Sequence, residues 1–240
     1  METNKKISIV NKLLLRKYGL PPRNLSLPDP VDLLIATILS QNTNDNNSYR
    51  AYQNLKRKFK TWEEVASAKR TSIEKEIKIA GLGLQKSRAI KNFLISIKEK
   101  RDKISLEYLR QLSNEEALSD LTSYDGIGVK TASCVLLFAL NRNICPVDTH
   151  VHRITNRIGL VKTTSPDKTF FSLNKNFPVE IAHQFHTNLI RHGREICKAQ
   201  SPICKICPIV PICTFDQKDF SLKALNRKGN FMLLDNVGNT

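Results

Sequence analysis

Apolar residues recur along this chain at helical spacing, and alternating apolar–polar runs of the strand type are missing. Val31 to Ser40 is a mostly apolar stretch preceded by Asp29 and Pro30, a favourable helix start. Leu84 to Ile97 places Leu84, Ala89, Ile90, Phe93, Leu94 and Ile97 on one helical face. Thr131 to Leu140 is apolar enough to predict a buried helix. Asp148 is placed to cap a helix running to about Ile158 and stopping at Gly159. Val179 to His192 predicts another, ended by Gly193. Three capping boxes are expected, pairing Thr61 with Glu64, Thr71 with Glu74 and Ser113 with Glu116. The predicted class is all-α. Periodicity is lost after Thr214, where a short ordered tail and a frayed one are both open.

The chain has 240 residues, enough for one large or two small domains with a real core. The longest apolar run, Val135 to Leu140, is far short of the roughly 20 residues that span a bilayer, so no membrane association is expected. The polar start, with Glu2, does not predict a signal peptide, and a cytoplasmic, nucleoid-associated location follows as the expectation. Lys and Arg number 38 against 22 acids, a formal charge of +16. That excess makes a polyanion the first partner to consider.

Six cysteines in an intracellular protein are read as ligands or core residues before disulfides. Four of them, Cys197, Cys204, Cys207 and Cys213, follow a C-x6-C-x2-C-x5-C pattern stiffened by Pro202, Pro208 and Pro211. Four thiolates so close repel unless a cation neutralises them. Zinc sites with four cysteines usually join two CxxC knuckles across a longer insert. The compact wrap here fits a [4Fe–4S] cluster better, with zinc and plain packing as the alternatives. Cys134 lies in an apolar run and reads as packing, and Cys145 has no ligand-like partner nearby.

Gly126-Ile127-Gly128 joins two helical stretches. Two glycines around one apolar residue allow a tight hairpin whose following amides, from Val129 onward, point outward and can hold a phosphate oxygen. A plain helix–helix turn is the competing reading. Lys130 falls in the first turn of the next helix, where the dipole disfavours a cation and favours loss of its proton. A neutral lysine amine is a nucleophile. A surface or phosphate-contacting lysine is the plainer alternative. Asp148 most simply caps a helix, yet a carboxylate so fixed can also steady a developing cation on a sugar.

Hairpin, Lys130, Asp148 and cysteine loop occur here in the order found in the endonuclease III branch of the helix–hairpin–helix DNA glycosylases. The resemblance covers roughly residues 5 to 213. It implies two helical domains flanking a DNA-binding cleft: a six-helix barrel over 25–142 and an iron–sulfur domain over 143–213. Residues 1–24 would supply an N-terminal helix packing with the latter, and 214–240 a tail. Lys130 and Asp148 match the family's catalytic lysine and aspartate, and the four cysteines its cluster ligands. Leu39-Ser40-Gln41-Asn42-Thr43 is similar to a motif whose glutamine fills the gap left by a flipped base, which puts that role on Gln41. Gly81-Leu82-Gly83 is similar to a loop whose leucine wedges into the duplex, which puts that role on Leu82. A helix cap for Gln41 and a core position for Leu82 are the structural alternatives. Gly126, Gly128, Val129, His150, Arg191, Lys198 and Lys205 are the further candidate DNA contacts.

The implied activity is a base-excision DNA glycosylase with abasic-site lyase activity. It acts as a monomer on duplex DNA carrying damaged bases, by family expectation oxidised pyrimidines, or abasic sites. A monofunctional mismatch glycosylase and a non-enzymatic DNA-binding module are the alternatives. Two positions depart from the family: Tyr124-Asp125 stands for the usual Leu-Pro before the hairpin glycine, and Asn42 for the alanine after the glutamine.

Overall fold

In the computed structural model, residues 3–23, 26–221 and 232–237 are described. Every regular element among them is helical. They divide into two compact units, Met1–Arg23 with Asn143–Asn230 and Asn24–Arg142 with Phe231–Thr240. No helix among the described residues is long and apolar enough to cross a membrane.

The first unit begins with α1 (Thr3–Tyr18), whose Ile7, Val10 and Leu14 form one fully buried stripe. The chain then builds the second unit: α2 (Pro30–Ser40), α3 (Asp45–Lys58), α4 (Trp62–Ser67), α5 (Arg70–Ile77), α6 (Gly83–Arg101), α7 (Asn114–Thr122) and α8 (Val129–Cys134). It returns to the first unit with α9 (Thr149–Arg157), α10 (Pro166–Asn174) and α11 (Ala182–Glu195).

The second unit is organised around α2. Asp29 starts it by accepting from the amides of Val31 at 2.8 Å and Asp32 at 3.1 Å, with Pro30 at the first helical position. Nearly all of the helix is buried, because α3, α6 and α8 pack around it. Each fully buried Leu or Ile there contributes about 1.5–3 kcal/mol of transfer free energy. The helix predicted over 131–140 widens after Cys134 into a π-turn, Val135–Ala139, closed by the Leu140 amide donating to the Val135 carbonyl at 3.2 Å. The chain's last described residues also belong here. Leu233–Asp235 forms a 3₁₀ turn against α2 and α3, with Leu233 and Val237 buried.

Of the predicted capping boxes one closes completely and a second forms only its first half. Ser113 and Glu116 exchange both bonds, at 3.2 and 2.8 Å. Thr61 accepts from the Glu64 amide, while the Glu64 carboxylate reaches one residue further, to the Lys60 amide at 2.8 Å. The third does not form. α5 starts at Arg70, which puts Thr71 inside the helix, and Glu74 pairs with Arg70 instead. The last long helix also differs from its prediction. It spans Ala182–Glu195, so Gly193 lies within it rather than ending it. The reason is packing: a Cβ at 193 would stand 2.7 Å from His150 Nδ1, and α11 needs glycine to lie so close to α9.

Candidate active site and cysteine loop

In the second unit the hairpin joins α7 to α8. Tyr124 is buried and meets Phe93 edge-on, with ring centroids 5.2 Å apart. The tyrosine thus occupies the core-facing place ahead of the glycine, while Asp125 is exposed. Gly126 has φ +80° and would set a Cβ 2.9 Å from Ala89 Cβ, so both conformation and α6 demand glycine. Ile127 is 4% exposed, the pin between the helices that its position suggested. Gly128 caps α8 with no side-chain hydrogen bond, and a Cβ on it would meet nothing within 4 Å. Nothing inside the protein requires glycine there, and Gly128 itself is exposed.

Lys130 is half-buried in the first turn of α8. Its neighbour Thr131 is buried and accepts a hydrogen bond from Gln41 Nε2 at 3.3 Å. Gln41 also caps α2, its amide donating to the Ile38 carbonyl. The cap and the contact to α8 therefore coexist. Leu82 is not a core residue. It is 45% exposed, with φ +51°, and Leu84 beside it is 48% exposed.

In the first unit, Asp148 caps α9, its Oδ1 accepting from the Val151 amide at 2.8 Å. The approach to it is fixed at the backbone. Asn174 donates to the Cys145 carbonyl at 3.0 Å and accepts from the Cys145 amide at 2.7 Å, and His186 Nδ1 lies 2.9 Å from the Pro146 carbonyl. His150 packs on Gly193 and meets Arg153 Nη2 at 3.1 Å; burial holds its pKa below the usual histidine range.

The loop after α11 carries the four cysteines. All four line one hollow with Ile154, Ile158, Ile196, Ile203 and Ile209, and none is in a disulfide. Arg157 of α9 donates to Cys197 Sγ at 3.5 Å, to the Lys198 carbonyl at 2.7 Å and to the Ala199 carbonyl at 2.8 Å, and stacks 4.3 Å from the Phe215 ring centre. Arg153 donates to the carbonyls of Cys197 and Gly193. Cys207 Sγ lies 3.5 Å from His192 Nε2. Burial first, and then the other cysteines, push the Cys207 thiol up to about 12. Among the described residues no three His, Cys, Asp or Glu side chains converge closely enough to hold a single metal ion.

A protein-family model described as HhH-GPD superfamily base excision DNA repair protein matches residues 35–179, a span that includes the hairpin and Asp148. Endonuclease III of Thermotoga maritima is 34% identical over 206 residues, which covers 86% of this chain and 92% of that protein. The chain belongs to this superfamily, and within it to the endonuclease III family. An Arabidopsis thaliana protein, provisionally named a DNA glycosylase, is 40% identical over 176 residues; the match spans 73% of this chain and 60% of that longer protein. Among solved structures, a trapped covalent endonuclease III–DNA intermediate superposes with a TM-score of 0.75 at 27% identity, covering 89% of this chain and 96% of that one. A non-covalent endonuclease III–DNA complex gives 0.74 at the same identity and coverage.

Within this endonuclease III family member the remaining candidates differ in their surroundings. Lys205 is exposed and Lys198 half-buried. Arg191 is engaged inside the unit: Nε donates to Glu195 at 3.0 Å, and the guanidinium lies 4.7 Å from the Tyr18 ring centre. Sequence reading passed over Arg153, Arg157, Asn174 and Lys86. Lys86 had a signal. It stands on the stripe of Ile90, Phe93 and Ile97, where a charged residue breaks an otherwise apolar face.

Proposed function

We propose that this chain is a bifunctional base-excision enzyme, a DNA glycosylase that also cuts the strand at the resulting abasic site. The observation that carries the reading is the hairpin: Gly126 is locked by Ala89, Gly128 is open to the outside, and Lys130 follows in the first turn of α8 with Gln41 bonded to its neighbour. The named relatives and the trapped covalent complex support it.

The substrate is duplex DNA carrying a damaged base, with oxidised pyrimidines the class expected from the family. The amides after Gly128 take a phosphate. Weakly stacked lesions cost least to extrude, Gln41 fills the gap they leave and Leu82 wedges the stack. The Lys130 amine attacks C1′ of the sugar, forming an N–C1′ bond as the base departs with the electrons of the glycosidic bond. Asp148, held by the Val151 amide, steadies the positive charge on the sugar. Ring opening gives an iminium, loss of a C2′ proton follows, and the C3′–O bond breaks to release the 3′ strand. Lys198 and Lys205 add phosphate contacts.

Cys197, Cys204, Cys207 and Cys213 are assigned as ligands of a [4Fe–4S] cluster. The fit rests on the donor set: all four cysteines line one hollow, and none of them is in a disulfide. When bound, such a cluster supplies a cross-link that fixes the loop of Lys198 and Lys205. Residues 143–213 with α1 are assigned as the cluster-bearing domain and 25–142 as the hairpin domain.

Borohydride reduction during turnover tests the chemistry. It is expected to trap wild-type protein covalently on a lesion duplex and to trap nothing with Lys130→Ala. An undiminished adduct in that variant would remove Lys130 from the role.

A further inference from the structure

We infer that Lys86 is a positioning residue that sets the spacing between the loop of Gln41 and the loop of Leu82. This rests on the proposed roles of those two residues as gap filler and wedge. Lys86 is 2% exposed, the one lysine among the largest fully buried side chains. Its Nζ donates to the Leu39 carbonyl at 2.8 Å and to the Ala80 carbonyl at 2.8 Å. Each of these carbonyls lies at the end of a helical element, where backbone acceptors lack intrahelical partners. Leu39 is in the last turn of α2, two residues before Gln41; Ala80 ends the 3₁₀ turn Lys78–Ala80, two residues before Leu82.

The same residue grips the wedge loop a second way, since its amide donates to the Leu82 carbonyl at 3.0 Å. Gln41 in turn reaches Thr131. A line of contacts therefore runs from Leu82 through Lys86 and Leu39 to Gln41 and on to the residue beside Lys130. An apolar side chain at 86 would match the stripe of α6 and avoid burying an ammonium, but it would satisfy neither carbonyl. One charged group bridging two element ends fixes a distance that apolar packing leaves adjustable. That distance matters for a residue pair that must enter one duplex lesion from two loops.

The test compares two substrates: a lesion-containing duplex, which needs both loops, and a single strand with an abasic site, which has no stack to wedge and no partner to fill. Lys86→Met is expected to lower single-turnover excision from the duplex by about 10- to 100-fold, the scale of a misplacement near 1 Å, and to leave cleavage of the single strand unchanged. In a Gln41→Ala/Leu82→Ala background the same substitution is expected to add no further loss. Equal losses on both substrates, or an additive loss in that background, would overturn the proposal. Should Lys86→Met not fold, Lys86→Gln, which keeps one donor group, is judged by the same ratio. A wild type that cuts neither substrate overturns the glycosylase reading, and this proposal with it. A wild type that cuts both, with variants that lose both alike, overturns only the bridge.

Discussion

Gly193 of α11 lies against the ring of His150 at the start of α9, so close that a Cβ at 193 would fall 2.7 Å from Nδ1 and 2.9 Å from His150 Cβ. Two helices of the first unit meet there through a missing side chain. Gly193→Ala would gain about 1 kcal/mol of helix propensity on an unconstrained surface. Here the overpacking outweighs it, and a net loss of about 1–3 kcal/mol is expected. Urea denaturation of the two proteins measures it, and a stabilised variant would contradict the contact.

Asp148 carries a cap and a proposed chemical role, and two substitutions separate them. Asparagine caps as well as aspartate, so Asp148→Asn should keep the stability of α9 while excision falls and DNA binding persists. Asp148→Ala should lose about 1 kcal/mol as well as activity. Thermal melting read beside excision rates distinguishes the two. Normal excision by the asparagine variant would leave Asp148 a cap alone.

Arg157 joins α9 to the cysteine loop through three hydrogen bonds and a ring contact. Arg157→Ala is expected to loosen the loop, with lower iron per chain and a weaker absorption band near 400 nm in protein purified without air. Faster proteolysis near Lys198 should accompany the change. Iron content equal to wild type with an intact loop would show that the arginine does not hold it.

Burial lowers the pKa of Lys86 from 10.5 to about 8. The native state then binds fewer protons than the unfolded chain between about pH 8 and pH 10.5, so stability must rise with pH across that window and stay flat below it. The comparison with Lys86→Met isolates this residue. Wild-type stability relative to the variant should improve from pH 7 to pH 10, read as urea midpoints. A constant difference would mean that the two carbonyls at 2.8 Å hold the ammonium charged throughout.

Salt titration separates the basic candidates. Lys205 is exposed, and Lys205→Ala should make the slope of log K against log salt shallower by about 0.9. Arg191 is held by Glu195 and Tyr18, and Arg191→Ala should leave the slope unchanged while costing stability. The opposite pattern would place Arg191 on the phosphates.

Much of the hairpin and its helices could be read locally. Asp29 before Pro30, Ser113 with Glu116, and Gly126 around Ile127 each encode their conformation within four residues, through caps and a positive φ that need no distant partner. The Thr71–Glu74 box failed because a competing partner, Arg70, lies one turn away on the same helix. α11 runs past Gly193, a residue type that usually stops a helix, because glycine is required there by the ring of His150 on another helix.

The sequence by itself determined the helical class, the elements that end in caps, the hairpin and the four-cysteine loop, because short-range sterics and nearest-neighbour hydrogen bonds specify them. Only the tertiary structure decided that Lys86 bridges two loops, that Gln41 reaches Thr131, that Leu82 is exposed, and that Arg153 and Arg157 grip the cysteine loop. Those contacts join residues that are distant along the chain, and their partners are mostly backbone carbonyls, which every residue carries alike. Nothing in the order of side chains marks which carbonyl a buried cation will find until packing brings the two together.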